Sequence, residues 1–265
     1  MIIAIIQARM GSSRLPNKVM LDLCKEPVLW HVVNRTRSSK RIERIVVATS
    51  ENSNNDTIRE YCKQKDIECV SGNENDVLDR YYKVMNYANI KDDDIVVRIT
   101  ADCPLIDPEL IDEVIERHIV TNSDYTSNTI EPTFPDGLDC EVIQATVLKK
   151  AWEEAKLKSE REHVTLYIRN HPELFRIESY KGTEDLSDMR WTLDEEEDYV
   201  LIKRIYEELY SNTKMFTTKE ILDFLNSDPN IGAINYMHTR NQGLTKSLKE
   251  DGVTEEHIKE VNKNG

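Results

Sequence analysis

Four short aliphatic runs, at residues 2–6, 44–49, 67–70 and 94–99, alternate with longer helical patterns at 27–38, 55–64, 75–87 and 108–119. The runs, among them IIAII, RIVVAT and DIVVRI, are near-continuous Ile and Val. Strands of that kind are covered on both faces, and their alternation with helices implies right-handed βαβ crossovers and a mainly parallel sheet. Helix starts are legible as well, with Pro27 and Pro108 in first turns and an Asn/Asp cluster around residue 55. The expected class is α/β, a three-layer sandwich with the sheet in the middle.

The second half is less regular. Its patterns predict strands at 138–143, 175–180 and 189–192, and helices at 145–158, 162–170, 195–210 and 218–224. No Pro/Ser/Gly linker and no repeat divides the chain. The expectation is one domain over 1–245 with a less regular subregion around 120–190, then a polar tail at 246–265. Hydrophobic residues make up 39% of the 265 and charged residues 32%, a soluble composition with ample core. No apolar run approaches the roughly 18–20 residues of a membrane span. The 2–6 run is too short for a signal peptide and lacks a positive flank, so a cytoplasmic protein is expected. Five cysteines, an odd number with no C-x-x-C pair, predict reduced thiols rather than a zinc site or a disulfide framework.

Charge is unevenly placed. The net charge is -14, yet residues 1–50 hold nine basic and three acidic side chains, a local +6. The other 215 residues hold 26 basic and 46 acidic ones, a sum of -20. Such a surface repels nucleic acid and anionic lipid over most of its area, while its one basic end suits a small anion.

That basic end is a loop, QARMGSSRLPNK, directly after the first run. In parallel α/β sheets ligands bind at the carboxyl ends of strands. Gly11, Ser12 and Ser13 let backbone N–H groups approach an anion, and Arg9, Arg14 and Lys18 supply charge. Gln7, Ala8, Arg9, Met10, Gly11, Ser12, Arg14 and Lys18 are therefore candidates to bind a polyphosphate. The loop is neither a Walker loop nor the dinucleotide fingerprint. A solvated basic loop is the plain alternative, and spacing alone does not choose between them.

IIQARMGSSRLPNK resembles the A-R-x-x-S-x-R-L-P-x-K loop of the cytidylyltransferases that make CMP-activated sugars, such as the CMP-KDO and CMP-sialate synthetases. It is still more similar to their SpsF-type branch, named for spore coat polysaccharide biosynthesis. VVATS, GNENDVLDRYYK, VRITADCPLIDPELID, PDGLDCEV, REHVT and RWTLDEEEDY follow in that branch's order over residues 1–199, with a weaker match through RNQGLTKSLKEDG. The resemblance implies a nucleotide-diphospho-sugar transferase (GT-A-like) nucleotidyltransferase fold. It implies transfer of CMP from CTP to a sugar acid or sugar-like acceptor, with release of pyrophosphate, for surface polysaccharide or glycan biosynthesis. It also suggests a homodimer, with the 120–190 region as candidate interface.

Nucleotidyl transfer calls for a divalent cation held by carboxylates. Asp102 follows the 94–99 run and Asp194 follows the 189–192 segment. In the resembled family one Asp from each such segment binds Mg²⁺. The sialate synthetases carry a second Asp where this chain has Thr192. Taken alone, Asp102 reads as an Asx-turn before Pro104 and Asp194 as a helix cap. Glu195, Glu196, Glu197 and Asp198 read as first-turn helix acids.

Arg80 matches a family arginine on the nucleotide; its plain reading is an exposed helix residue paired with Asp76. Thr49 ends the second run as a shelf for base or ribose, and Gly72 after the third permits close approach. Asp136 and Gly137 read as a turn, with Asp139 and Glu141 on one face of a strand. Together with Arg161, His163 and Arg190 these carboxylates are candidates for the acceptor site. Edge acids in solvent and a structural histidine are the plain alternatives. The expected chemistry is in-line attack on the α-phosphorus, with Arg9, Lys18 and Asp102 as catalytic groups. Two competing readings are a nucleotide-sugar glycosyltransferase, which usually carries a D-x-D absent here, and a non-catalytic nucleotide-binding partner in polysaccharide assembly. A dinucleotide-dependent dehydrogenase lacks its glycine fingerprint.

Overall fold

The computed structural model describes residues 1–211 and 215–254. Its strands are β1 (Ile2–Gln7), β2 (Asp22–Leu23), β3 (Glu26–Pro27), β4 (Arg44–Ser50), β5 (Glu68–Gly72), β6 (Ile95–Thr100), β7 (Tyr125–Ser127), β8 (Glu141–Gln144) and β9 (Ile177–Ser179). The α-helices are α1 (Val28–Arg37), α2 (Asp56–Gln64), α3 (Val77–Ala88), α4 (Pro108–Thr121), α5 (Ala145–Glu154), α6 (Lys158–Glu162), α7 (Leu166–Asn170), α8 (Glu196–Leu209), α9 (Thr218–Ser227), α10 (Pro229–Gly232) and α11 (Gln242–Glu250).

Seven strands form one sheet in the order β5-β4-β1-β6-β8-β7-β9. Pairing is parallel from β5 through β6 and between β7 and β9, and β8 alone runs against its neighbours. The run at 2–6 explains the layering. Ala4 and Ile6 point to one face, into a core shared with α1, α4 and α8. Ile3 and Ile5 point to the other, into a core shared with α3 and α5. All four are fully buried, and each such Ile contributes about 1.5–3 kcal/mol. The result is the expected three-layer α/β sandwich.

Local signals set the element ends. Asp76 caps α3 by accepting the Asp79 N–H at 2.8 Å, and Asn89 closes it in the left-handed region. Asp107 caps α4 ahead of Pro108, and Asn122 ends it in the same left-handed way. From β1 the chain steps to β4 and β5 on one side, then returns to β6 on the other. The crevice between the carboxyl ends of β1 and β6 is thus the switch point where α/β sheets bind ligands.

The second half departs from expectation in several places. The strand expected at 138–143 begins at Glu141. Before it, Asn128 holds a loop by accepting the Cys140 N–H and donating to the Leu138 carbonyl, each at 2.8 Å. Asp139 therefore lies in that loop and does not share a strand face with Glu141. The segment 189–192 is no strand either; it makes one bridge, Asp136 to Arg190. The helix expected at 162–170 breaks into α6 and α7 around Val164, whose φ is 48°. Short β7, Tyr-Thr-Ser, carries no apolar run and was not expected. Helix α11 crosses the boundary expected at 245 and packs Leu244 and Leu248 with Leu166. Residues 255–265 of the expected tail lie outside the described residues.

Candidate active site

The loop after β1 is folded back by Asn17, which sits in the left-handed region (φ 59°) that Asn tolerates. The turn aims Lys18 into the switch-point crevice. The Lys18 ammonium donates to Asp102 Oδ2 at 2.5 Å and to Asp194 Oδ1 at 2.7 Å. Backbone brings those two carboxylates together, because the Leu193 N–H donates to the Asp102 carbonyl at 2.8 Å. Burial works to raise the Asp102 carboxyl, but Lys18 overrides it and holds the group at about 2. Burial lowers the Lys18 ammonium, and the two carboxylates more than reverse that.

A cavity of about 780 Å³ opens here. Ten Lys or Arg against seven Asp or Glu line it, so a net-negative chain presents a net-positive site. Gln7, Ala8, Arg9, Gly11, Ser12, Arg14, Lys18, Arg80, Asp102 and Asp194 line it as expected. Arg14 pairs with Asp194 at 3.0 Å and Glu195 at 2.8 Å, and also donates to Gln242 at 3.0 Å. Arg80 is 3% exposed, and its Nε and Nη1 have no hydrogen-bond partner among the described residues. Burial, then the charge of Arg9, lowers its guanidinium. A buried cation with unmet donors on a cavity wall suits an anion.

Three expected nucleotide contacts fall elsewhere. Met10 gives its N–H to Asn55 Oδ1 at 2.8 Å and packs on the core. Thr49 is fully buried within the sheet. Gly72 does allow a close approach, but of Arg80: a Cβ there would lie 2.8 Å from Arg80 Cγ. Neither these three nor Arg161 line the cavity. Arg161 instead turns to Asp76 at 2.7 Å and to the Trp152 carbonyl at 2.7 Å, joining α6 to the cap of α3.

Asp136, Asp139, Glu141, His163 and Arg190 line the cavity too, with Arg190 bridging Asp136 to Asp194. Burial and then the charge of Asp139 push Asp136 up to about 7. Burial also raises Asp139, against the pull of Arg240 at 3.0 Å. Glu141 is committed to Arg98, the Tyr125 hydroxyl (2.6 Å) and the Thr165 hydroxyl (2.5 Å). Burial acts to raise it, and Arg98 keeps it low. Burial lowers His163 to about 4, and its Nε2 meets the Ser247 hydroxyl at 3.0 Å. Gly137 lets the Asp136 loop pass close against the Trp191 segment. Its φ is +110°, and a Cβ would lie 2.6 Å from the Trp191 carbonyl oxygen.

Sequence reasoning missed Arg98, Arg169, Arg240 and Lys246 on the wall. Arg240 and Lys246 belong to RNQGLTKSLKEDG, whose motif was visible though its place was not. All five cysteines are free thiols. No helix among the described residues is long and apolar enough to cross a membrane.

Comparison with known proteins places the chain in a family. A family model described as cytidylyltransferase matches residues 3–227. The chain is 36% identical over 235 residues to the spore coat polysaccharide biosynthesis protein SpsF of Bacillus subtilis, covering 86% of this chain and 95% of that one. It superposes with a TM-score of 0.82 and 30% identity on a cytidylyltransferase from Leptospira borgpetersenii, covering 90% and 98% of the two chains. A CMP:2-keto-3-deoxy-manno-octonic acid synthetase complexed with CTP shares the fold, with a TM-score of 0.58 at 15% identity over 79% and 99%. The sandwich is thus the nucleotidyltransferase fold, and the chain belongs to the cytidylyltransferase family.

Proposed function

We propose that this enzyme transfers CMP from CTP to a hydroxyl of a sugar acid or sugar-like acceptor, releasing pyrophosphate, in the making of a surface polysaccharide or glycan. The observation that carries the reading is the clasp of Lys18 between Asp102 and Asp194 beside the Gly11 loop. Those carboxylates already enclose one cation, so their spacing suits another. Among the described residues no three His, Cys, Asp or Glu groups gather as ligands. Two carboxylates completed by phosphate and water oxygens are what Mg²⁺ takes. Bound between Asp102 and Asp194, Mg²⁺ would neutralise charge on the α-phosphate as pyrophosphate leaves.

The chain's own residues account for the rest. In this reading the triphosphate draws Lys18 away from the two aspartates, and Arg9, Arg14 and the N–H groups around Gly11 hold its oxygens. The unmet donors of Arg80 reach the nucleotide. The acceptor lies toward Asp136, Asp139, His163 and Arg190, where buried carboxylates and guanidiniums bind hydroxyl and acid groups. Its hydroxyl attacks the α-phosphorus in line and gives its proton to Asp139, whose proton affinity burial raises. Most of the rate then comes from positioning and electrostatics. A homodimer in the cytoplasm completes the reading.

Thermal melts against CTP, UTP, GTP, ATP and NAD, with and without Mg²⁺, test it. A ligand at about 100 times its Kd adds about 2.7 kcal/mol to the native state. We expect a rise with CTP and Mg²⁺ that Asp102→Asn weakens, then pyrophosphate release with a sugar-acid panel. Stabilisation by UTP or ATP instead of CTP would overturn the donor, and none by any nucleotide would overturn the reaction.

A further inference from the structure

The chain beyond residue 227, where the family match ends, returns to the site at several places, and one of its buried side chains reaches the groups that hold Asp194. Asn235 is 2% exposed. Its Nδ2 donates to Asp198 Oδ1 at 2.7 Å and to the Arg190 carbonyl at 2.8 Å. Asp198 is itself fully buried. Its Oδ2 accepts the N–H groups of Asp194 at 3.0 Å and Glu195 at 2.9 Å, and Arg190 Nη2 at 3.0 Å. Its Oδ1 also accepts Arg190 Nε at 3.0 Å. Arg190 then reaches Asp136 at 2.8 Å and Asp194 Oδ2 at 3.2 Å.

Capping α8 needs only a carboxylate on one or two N–H groups. Here the same carboxylate also fixes a buried guanidinium and an amide from a distant segment. Burying that ion pair is costly unless every group is satisfied. What the network holds still is Asp194: its backbone through Asp198, its carboxylate through Arg190. Neither Asp198 nor Asn235 lines the cavity.

We propose that Asp198 and Asn235 are positioning residues for Asp194, and that Asn235 makes docking of the C-terminal segment a condition of tight divalent-metal binding. The proposal rests on the reading of Asp194 as a metal ligand. A ligand carboxylate must be placed closely for a small hard cation, and removing the groups that orient ligands costs about 10–100-fold in metal affinity. Without the Asn235 amide, Asp198 loses a donor on Oδ1, and the Arg190 carbonyl loses its tie to the C-terminal segment.

The test uses the full chain with Mn²⁺ as probe, titrated without nucleotide, which would itself chelate the metal, and read by electron paramagnetic resonance of free Mn²⁺. Asn235→Leu keeps the branched shape and removes the donors. We expect it to weaken Mn²⁺ binding about 10-fold, with CTP affinity measured without metal unchanged. Asp198→Asn should weaken it further, and Asn235→Ala should match Asn235→Leu. Folded Asn235 variants with lowered melting temperature but wild-type Mn²⁺ affinity would overturn the proposal, leaving the network a purely structural one. Asp102→Asn separates the two ideas. Should it bind Mn²⁺ as wild type does, the metal assignment itself falls and this proposal with it.

Discussion

Lys18 shows what one residue can do in this site. It holds two carboxylates in the crevice, and in the proposed function it turns from them to a phosphate. Lys18→Ala should therefore cut turnover by about 100–1,000-fold, the usual cost of losing one preorganised donor to developing charge, measured as pyrophosphate release. Asp102 gives a pH signature. Its carboxyl sits at about 2 against an ordinary 3.8. Between those values the unfolded chain binds more protons than the folded one, so its stability contribution is present above about pH 4 and fades as pH falls through about 2. Denaturant melts should show the stability gap between wild type and Asp102→Asn shrinking from about pH 5 to about pH 2. A gap that widens toward acid would contradict the sign of this shift.

At the scale of elements, the loop before β8 and the segment before α8 meet at Gly137. A side chain there faces both a positive φ and the Trp191 carbonyl. Gly137→Ala should cost about 3 kcal/mol or more, read from the denaturant midpoint, because strain and overlap add. Arg161 was expected at the acceptor and instead clamps α6 to Asp76. Arg161→Ala should lower stability by about 1.5–3 kcal/mol and leave the acceptor KM unchanged. A raised KM with unchanged stability would restore its expected role. Arg161 was misread because a motif names a residue without its rotamer. Asp76 was legible as a helix cap, but nothing local says that an arginine 85 residues later would share it.

On the whole-molecule scale, α11 lines the cavity through contacts made far along the chain. Gln242 meets Arg14, Ser247 meets His163, and Leu248 packs with Leu166. This small cluster stands apart from the two main cores. Leu248→Ala should therefore speed hydrogen exchange across 242–250 while amides of β1 and β6 stay protected, since local opening does not involve the sheet. By itself the sequence determined the parallel core, the layers on both its faces and the basic glycine-containing loop after β1. Each follows from periodicity or from residues adjacent in the chain, which act through local geometry. It also marked Asp102 and Asp194 as candidates by motif. Only the tertiary structure decided that Lys18 stands between them, across 84 and 176 residues, that Arg161 leaves the site and that Arg240 enters it. Such partners are chosen by packing and by the need to satisfy every buried charge, and both are properties of the assembled fold.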